Sequence, residues 1–326
     1  MRACLRSIGR VVFGMSFLAM ACSGSKPADE LTGAQTPSPN DAKLLVYAVN
    51  YPLQYLAERI GGDLVRVEFP ASADGDPAFW SPDPTTVAAY QKADVILLNG
   101  AGYAKWTDRV TLPPTALVNT SESFEDEYIY VENAVTHSHG PEGDHSHGQA
   151  AFTTWLDPTL AIRQADAIRS AFVSARPKHE AAFQEGFTSL ERDLDELDTS
   201  LQEILSGNEQ PLLASHPVYQ YLARRYAIDL RSVHFEPDEY PDEKSWRDLQ
   251  ELLAEHPAKR MLWEGQPLDD TRKKLQELGV DIVVYDPCGN KPAAGDFLGV
   301  MRGNVKQLRE VFTLVTPDGK DSEDAS

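Results

Sequence analysis

The chain has 326 residues, of which 42% are hydrophobic and 25% are charged, and its formal net charge at pH 7 is −20. This length and composition are typical of a soluble globular protein with room for two hydrophobic cores. The strong negative charge argues against nucleic acid and anionic membrane surfaces as partners and favours the attraction of cations.

The first 22 residues predict a secretory signal peptide. Arg2, Arg6 and Arg10 precede an apolar run, 11–20, that is too short to span a membrane. Cys22 follows small residues at the expected cleavage point, so we predict lipidation at Cys22, with simple secretion as the alternative. The protein is then exported, either periplasmic or lipid-anchored outside the cytoplasmic membrane or at the outer membrane of a bacterium. Residues 23–42 are polar and proline-bearing and predict a disordered tether.

Residues 43–176 predict a first α/β lobe, because apolar strand runs alternate with helical patterns. The predicted strands are 43–50, 65–69, 94–100 and 116–119, and the predicted helices are 53–60, 85–92 and 159–175. Asp157 and Pro158 suit the N-cap and first turn of the last of these helices. Such alternation predicts a parallel sheet.

A histidine-rich loop, residues 136–148, interrupts this lobe. Its four histidines form two His-X-His pairs, namely His137, His139, His145 and His147. Neutral imidazoles on such a loop suit Zn²⁺ first and Cu²⁺ or Ni²⁺ next, which predicts a metal-collecting loop. The alternative is a solvated low-complexity segment without a ligand.

Residues 177–206 predict one long helix with apolar residues at alternating steps of four and three. They are Phe183, Phe187, Leu190, Leu194, Leu197, Leu201 and Ile204. A helix of this length is about 45 Å long, so it is expected to brace two lobes of a monomer. A coiled-coil dimer seam is the alternative, although four heptads are near its minimum.

Residues 207–316 predict a second α/β lobe, followed by a charged, disordered tail at 317–326. The predicted strands are 211–214, 229–233, 260–263 and 282–285, and the predicted helices are 216–226, 245–255, 271–278 and 304–312. The predicted fold class is therefore α/β, with two parallel-sheet lobes joined by one long helix. Open parallel sheets bind ligands at the carboxyl ends of their strands, so a ligand cleft is expected between the lobes.

Several stretches over residues 43–315 resemble the metal-specific solute-binding proteins of bacterial ABC importers, the zinc and manganese receptors. They are VNYPLQYLAERIGGD, DPAFWSPDPTTVAAYQKADVILLNGAG, TTWLDP, ASHPVYQYLARRYAI, DPCGN and MRGNVKQL. The histidine-rich loop points to the zinc branch. The resemblance implies two pseudo-symmetric lobes, a rigid linking helix and a cleft that delivers a divalent metal to an inner-membrane permease without chemical change. Zinc is the first candidate, and manganese or another divalent metal is the next.

The resemblance also implies four metal ligands, of which this chain retains two. His216 and Asp286 match the third and fourth ligands, so both are predicted to bind the metal. Ala78 stands where the first motif has a histidine after Asp-Pro, and Thr153 stands where the second has a histidine two places before Trp-Leu-Asp-Pro. One imidazole and one carboxylate would hold Zn²⁺ weakly, because zinc sites have about four ligands.

Other cleft residues are therefore candidate substitute ligands. They are Glu264, Cys288, His234, Glu236 and Glu239. Each also has an ordinary structural interpretation, because a single cysteine is often a small buried hydrophobe and a carboxylate after a strand often caps a helix or faces solvent.

The aromatic residues Trp80 and Trp155 flank the two replaced positions and suggest a second hypothesis. An apolar, aromatic half-cleft favours a metal chelate or small organic solute over a bare ion, unless these rings simply close the lobe interface. A periplasmic zinc buffer or chaperone would need only the histidine-rich loop. An enzyme is not expected, because the chain has no Gly-X-Ser-X-Gly elbow, P-loop or HEXXH motif.

Overall fold

The computed structural model describes residues 42–72, 75–131 and 150–312. The strands are β1 Leu44–Ala48, β2 Val65–Glu68, β3 Val95–Leu98, β4 Leu117–Asn119, β5 Leu212–Ala214, β6 Leu230–Ser232, β7 Arg260–Trp263 and β8 Asp281–Val284. The helices are α1 Tyr51–Gly61, α2 Pro84–Tyr90, α3 Pro158–Ala175, α4 Glu180–Leu205, α5 Gln220–Tyr226, α6 Glu243–Glu255, α7 Asp269–Glu277 and α8 Phe297–Phe312. Short 3₁₀ turns join several of them.

The strands form two parallel sheets with the same internal order. The first sheet has the order β2-β1-β3-β4 and the second has β6-β5-β7-β8. We call the regions around these sheets the first lobe and the second lobe. Every strand pair in both sheets is parallel, so the carboxyl ends of four strands meet at one edge of each sheet. The predicted fold class is confirmed.

Helix α4 is the predicted brace between the lobes. A 3₁₀ turn, Pro177–His179, precedes it, and its 26 residues extend about 39 Å. Its apolar face is buried against α1, α3 and α8 of the same chain. Leu205 closes this buried face, whereas the predicted Ile204 is half-buried. A coiled-coil seam is therefore not needed to cover this face.

Among the helical glycines, Gly186 marks the closest approach of α4 to α1. A Cβ atom at this position would lie 2.4 Å from the carbonyl oxygen of Ile60. Only the absence of a side chain allows this approach, so the contact positions the linking helix against the first lobe.

One apolar core runs from the first sheet through α4 into the second lobe. Buried residues of both sheets and of α4 belong to the same cluster, among them Val46, Leu194 and Leu262. A smaller cluster around Trp246 and Met261 lies behind the second sheet. The described residues between 42 and 312 accordingly belong to a single compact unit, in which the two lobes share a continuous interior.

Two predicted helix starts are wrong. The helix predicted from His216 begins at Gln220, because Pro217 disfavours a helical conformation at the residue before it. The last helix begins at Phe297 and not at Asn304, because the Asp296 carboxylate accepts the Gly299 N–H at 2.8 Å and caps an earlier turn.

Other predicted segments lie outside the described residues. They are the signal peptide with Cys22, nearly all of the tether, the loop with His137, His139, His145 and His147, and the tail. Within the three ranges that are described, no helix combines the length and the apolar character needed to cross a bilayer.

Candidate metal centre

At the carboxyl edge of the second sheet, each of the four strands is followed by a residue of a type that binds metal ions. His234 follows β6, His216 follows β5, Glu264 directly follows β7, and Asp286 follows β8. Because the strands are parallel and adjacent in this order, the four residues share one edge of the sheet. The fold thus places together four residues that the sequence separates by up to 70 positions.

The two histidines and one glutamate are in direct proximity. The His216 and His234 rings lie nearly perpendicular, with centroids 5.4 Å apart. The Glu236 Oε1 atom lies 3.5 Å from the His216 Nδ1 atom. All three side chains are half-buried, so they are partly screened from water.

Glu264 lies in a strongly unfavourable environment for a carboxylate. Burial raises the pKa of Glu264 to about 8, and the negative charges of Asp76, Glu236 and Asp286 act in the same direction. Among the described residues no donor or cation pairs with the Glu264 carboxylate. At neutral pH the Glu264 carboxyl therefore mostly keeps its proton, and a nearby cation would favour its release.

Asp286 is held by its own backbone contacts. Its N–H donates to Asn304 Oδ1 at 3.0 Å, and Asn304 Nδ2 donates to its carbonyl oxygen at 2.7 Å. The Asp286 Oδ1 atom accepts the Cys288 N–H at 2.7 Å. Burial raises the pKa of Asp286, and the Cys288 N–H opposes that rise. Helix α8 thereby fixes the backbone at Asp286.

Two of the candidate substitutes are less suited to a metal. Cys288 is buried in the apolar core, and burial together with Asp286 raises the pKa of its thiol well above the ordinary range. A neutral thiol is a weak ligand, because metals bind the thiolate. Glu239 is exposed, and its N–H donates to the Glu236 carbonyl oxygen at 3.4 Å.

The two positions that lack the expected histidines are closed. Ala78 and Thr153 are buried at 6% and 4% exposure. The Thr153 hydroxyl donates to the Val218 carbonyl oxygen, so it bridges the lobes. The Ala78 N–H donates to Asp76 Oδ1 at 2.8 Å. Asp76, in this first-lobe loop, is close enough for its charge to help raise the pKa of Glu264.

The carboxyl edge of the first sheet carries neutral amides, a feature that sequence reasoning missed. Asn50 Nδ2 donates to Asn99 Oδ1 at 3.0 Å, and Asn99 Nδ2 donates to the Phe152 carbonyl oxygen at 2.9 Å. Gln164 Nε2 donates to Thr120 Oγ1 at 3.0 Å and to Asn99 Oδ1 at 3.3 Å. These buried groups satisfy one another, so this edge has no need of a cation. A signal was present, because Asn50 and Asn99 both lie at the carboxyl ends of predicted strands.

The two tryptophans are structural. Trp155 is buried, and its Nε1 atom donates to the Pro287 carbonyl oxygen of the second lobe at 2.8 Å. Trp80 packs edge-on against Trp106 within the first lobe, with ring centroids 6.1 Å apart. This geometry favours closure of the lobe interface over an aromatic ligand-binding wall.

A family model described as the periplasmic zinc-uptake complex component A, ZnuA, matches residues 46–311. The chain belongs to this family.

The names of proteins similar to this chain give different metals. The chain is 27% identical to the iron-binding protein YfeA of Yersinia pestis over 59% of this chain and 60% of that protein. It is 24% identical to the high-affinity zinc uptake system protein ZnuA of Bacillus subtilis over 78% of this chain and 80% of that protein. The crystal structure of the metal-dependent lipoprotein YcdH of Bacillus subtilis superposes with a TM-score of 0.70 at 20% identity, covering 82% of this chain and 98% of that one.

The ZnuA-family chain is thus a metal ABC transporter substrate-binding protein with a two-lobed α/β fold. Its candidate ligands line one edge but do not yet converge, because no three His, Cys, Asp or Glu side chains within 42–72, 75–131 and 150–312 are placed to hold one metal ion.

Proposed function

We propose that this protein captures a divalent metal, zinc in the first place, between its lobes and delivers it to an ABC permease in the inner membrane. The match of residues 46–311 to the zinc-uptake family model carries this proposal. Glu264 supports it, because burial and the neighbouring carboxylates raise its pKa to about 8, and a nearby cation would favour its ionised form. His216 and Asp286, at the neighbouring strand ends, supply a nitrogen and an oxygen donor for that cation.

The donor types support a borderline metal. Imidazole nitrogen suits zinc and iron, whereas carboxylate oxygen also suits manganese. The high thiol pKa of Cys288 removes the soft ligand that copper(I) would favour. The protein would hold its cargo without chemical change, so we propose no catalytic residue.

The remaining features complete the proposal. The loop with His137, His139, His145 and His147 would collect metal for the protein; the residues that flank it, Tyr130 and Ala150, pair as an isolated bridge. The protein would act outside the cytoplasm as a monomer, with Cys22 as a lipid anchor. The single-chain burial of the apolar face of α4 supports the monomer.

Calorimetric zinc titration tests this function. The mature chain is compared with a variant that lacks residues 136–148, so that loop binding is separated from cleft binding. We expect the deletion variant to retain one tight site, which His216→Ala removes. His179→Ala is the matched control, because His179 lies in the turn before α4 and packs edge-on against Phe183.

Two outcomes would contradict the proposal. If the deletion removes all zinc binding, the protein is a buffer that works through its loop. If the cleft binds only a zinc chelate and no free zinc, the cargo is the chelate.

A further inference from the structure

We propose that Tyr221 is a positioning residue for the cleft, because its hydroxyl fastens the turn that carries His216 to the first lobe. This rests on the proposed function, in which His216 binds the cargo. It goes further by naming the contact between the lobes that holds this histidine in place.

The Tyr221 hydroxyl joins two segments of the first lobe that are distant in sequence. It donates to the Ala151 carbonyl oxygen at 3.0 Å and accepts the Ile129 N–H at 3.3 Å. The Ala151 N–H in turn donates to the Ile129 carbonyl oxygen at 2.7 Å. The phenol thus acts as donor and acceptor at one point, and it ties α5 to a paired piece of first-lobe backbone.

Packing holds Tyr221 against the first lobe as well. Its side chain is fully buried. It belongs to a small apolar cluster with three first-lobe residues, Phe124, Ala151 and Leu160. The Arg224 guanidinium lies over the Tyr221 ring, 5.1 Å from its centroid, and donates to the Glu127 carbonyl oxygen. The start of α5 is therefore packed into the first lobe, although its chain comes from the second sheet.

The turn between β5 and α5 carries this attachment to His216. The Val218 N–H donates to the His216 carbonyl oxygen at 2.9 Å, and Gln220 Nε2 donates to the Pro217 carbonyl oxygen at 2.6 Å. These contacts stay within the turn, and Tyr221 follows it directly. The position of His216 therefore depends on where α5 is held.

Thr153 holds the same turn from the first lobe. Its hydroxyl donates to the Val218 carbonyl oxygen, two residues after His216. The resemblance places a histidine ligand at Thr153, so this chain has a contact with the His216 turn where a ligand is expected. The turn is thus attached to the first lobe at two points, through Val218 and through Tyr221.

The turn is also attached to the second lobe. The Tyr219 hydroxyl donates to the Tyr285 carbonyl oxygen at 2.7 Å, directly before Asp286. Glu236 Oε1 lies 3.5 Å from His216 Nδ1. His216 is therefore held between the lobes. A ligand that is held in place before the ion arrives loses less freedom on binding, so release of Tyr221 lowers the affinity of the cleft.

Tyr226 separates this positioning role from ordinary stabilisation. It lies on the same helix, α5, and its hydroxyl donates to Asp198 Oδ1 of α4 at 2.8 Å. Tyr226→Phe and Tyr221→Phe each remove the hydroxyl of a buried tyrosine from one short helix, so we expect both variants to lose stability. Only Tyr221→Phe frees the His216 turn from the Ile129–Ala151 pair.

The test uses the mature chain with His137, His139, His145 and His147 replaced by Asn, so that the loop histidines do not contribute to zinc binding. Calorimetric titration with Zn²⁺ compares Tyr221→Phe and Tyr226→Phe with this parent. We expect Tyr221→Phe to weaken zinc binding about 10-fold, the lower end of the range for residues that orient a metal ligand. We expect Tyr226→Phe to bind zinc as its parent does. Urea unfolding measures the stability of all three proteins.

Two measurements on the metal-free proteins identify the cause. Amide hydrogen exchange at Ile129 is faster in Tyr221→Phe alone, because phenylalanine removes the acceptor of that N–H. In long-range ¹H–¹⁵N spectra, the imidazole signals of His216 change in Tyr221→Phe and stay unchanged in Tyr226→Phe. His256 is the internal control, because its Nε2 lies 2.9 Å from the Leu212 carbonyl oxygen.

The outcomes separate the inference from the function on which it rests. If Tyr221→Phe binds zinc like its parent, or if both variants lose affinity equally, Tyr221 does not position the ligand and the receptor function stands. If the parent with the substituted loop binds no zinc, the proposed capture of free zinc in the cleft fails. The metal-free imidazole spectra then still decide whether Tyr221 positions His216.

Discussion

The indole Nε1 of Trp155 in the first lobe lies 2.8 Å from the carbonyl oxygen of Pro287, the residue after Asp286 in the second lobe. Two further contacts tie the same loop to the first lobe. The Tyr51 N–H donates to the Gly289 carbonyl oxygen at 3.1 Å, and Asn290 Nδ2 donates to the Ser72 carbonyl oxygen at 2.8 Å. The loop that carries a proposed ligand is therefore also the seam between the lobes.

Trp155→Phe should destabilise the protein and weaken zinc binding a few-fold. The change removes a buried hydrogen bond and leaves the Pro287 carbonyl without its donor, which costs about 1 to 3 kcal/mol. Urea unfolding gives the free energy of unfolding, and calorimetry gives the zinc affinity. Trp246→Phe is the control, because the Trp246 indole N–H has no acceptor in the described chain. Equal losses in the two variants would show that the hydrogen bond is not the cause.

Glu264→Gln should stabilise the metal-free protein at high pH. In the folded state the pKa of Glu264 is raised from 4.5 to about 8, so between these values the folded chain holds a proton that the unfolded chain has released. The stability of the parent protein therefore falls as pH rises through this window, and the glutamine variant lacks this loss. We expect a gain of roughly 2 to 5 kcal/mol above pH 8 that vanishes below pH 4.5.

Urea unfolding in the presence of a chelator, at pH 4 and pH 9, measures the effect. If the difference between the two proteins is the same at both pH values, Glu264 does not sit in the unfavourable environment described above.

Gly186→Ala should destabilise the protein even though alanine favours helices. Its Cβ would lie 2.4 Å from the Ile60 carbonyl oxygen, so α4 must move away from α1. Gly303→Ala in α8 is the matched control, because no atom lies within 4 Å of the Cβ that it would gain. That variant should be more stable by about 0.5 to 1 kcal/mol. Thermal unfolding compares the two, and a gain in both would remove the close approach as a constraint.

Asn99→Ala should cost stability but leave zinc binding unchanged within about two-fold. The amides of Asn50 and Gln164 lose their shared acceptor, and each unsatisfied buried group costs about 1 to 3 kcal/mol. The neutral network lies on the first lobe, away from the proposed ligands. Calorimetry checks the affinity and urea unfolding checks the stability. A large loss of zinc affinity in a folded variant would place a ligand in the first lobe.

Much of the fold could be predicted because its local signals agree. Apolar runs of strand length alternate with helical patterns, and the stepwise spacing from Phe183 to Leu201 matches the buried face of α4. The predictions are wrong where a local or tertiary detail sets the start of a helix. At His216, for example, the following proline delays the start of the helix until Gln220.

The candidate site could be predicted only as a set of residues. His216, His234, Glu264 and Asp286 each follow a strand, so the sequence marks them as residues of a sheet edge. It does not rank them, because ligand quality depends on neighbours that are distant in sequence. Their role as ligands remains a prediction.

By itself the sequence determined the fold class, the family resemblance and the absence of histidine at Ala78 and Thr153. These are properties of residue type and local periodicity. Only the tertiary structure decided which lobe carries uncompensated charge. Tertiary packing places Glu264 near Asp76 of the first lobe and near Glu236 and Asp286 of the second, and it pairs Asn50 with Asn99. Electrostatic energy depends on distance through space, and that distance is set by the packing of the two sheets.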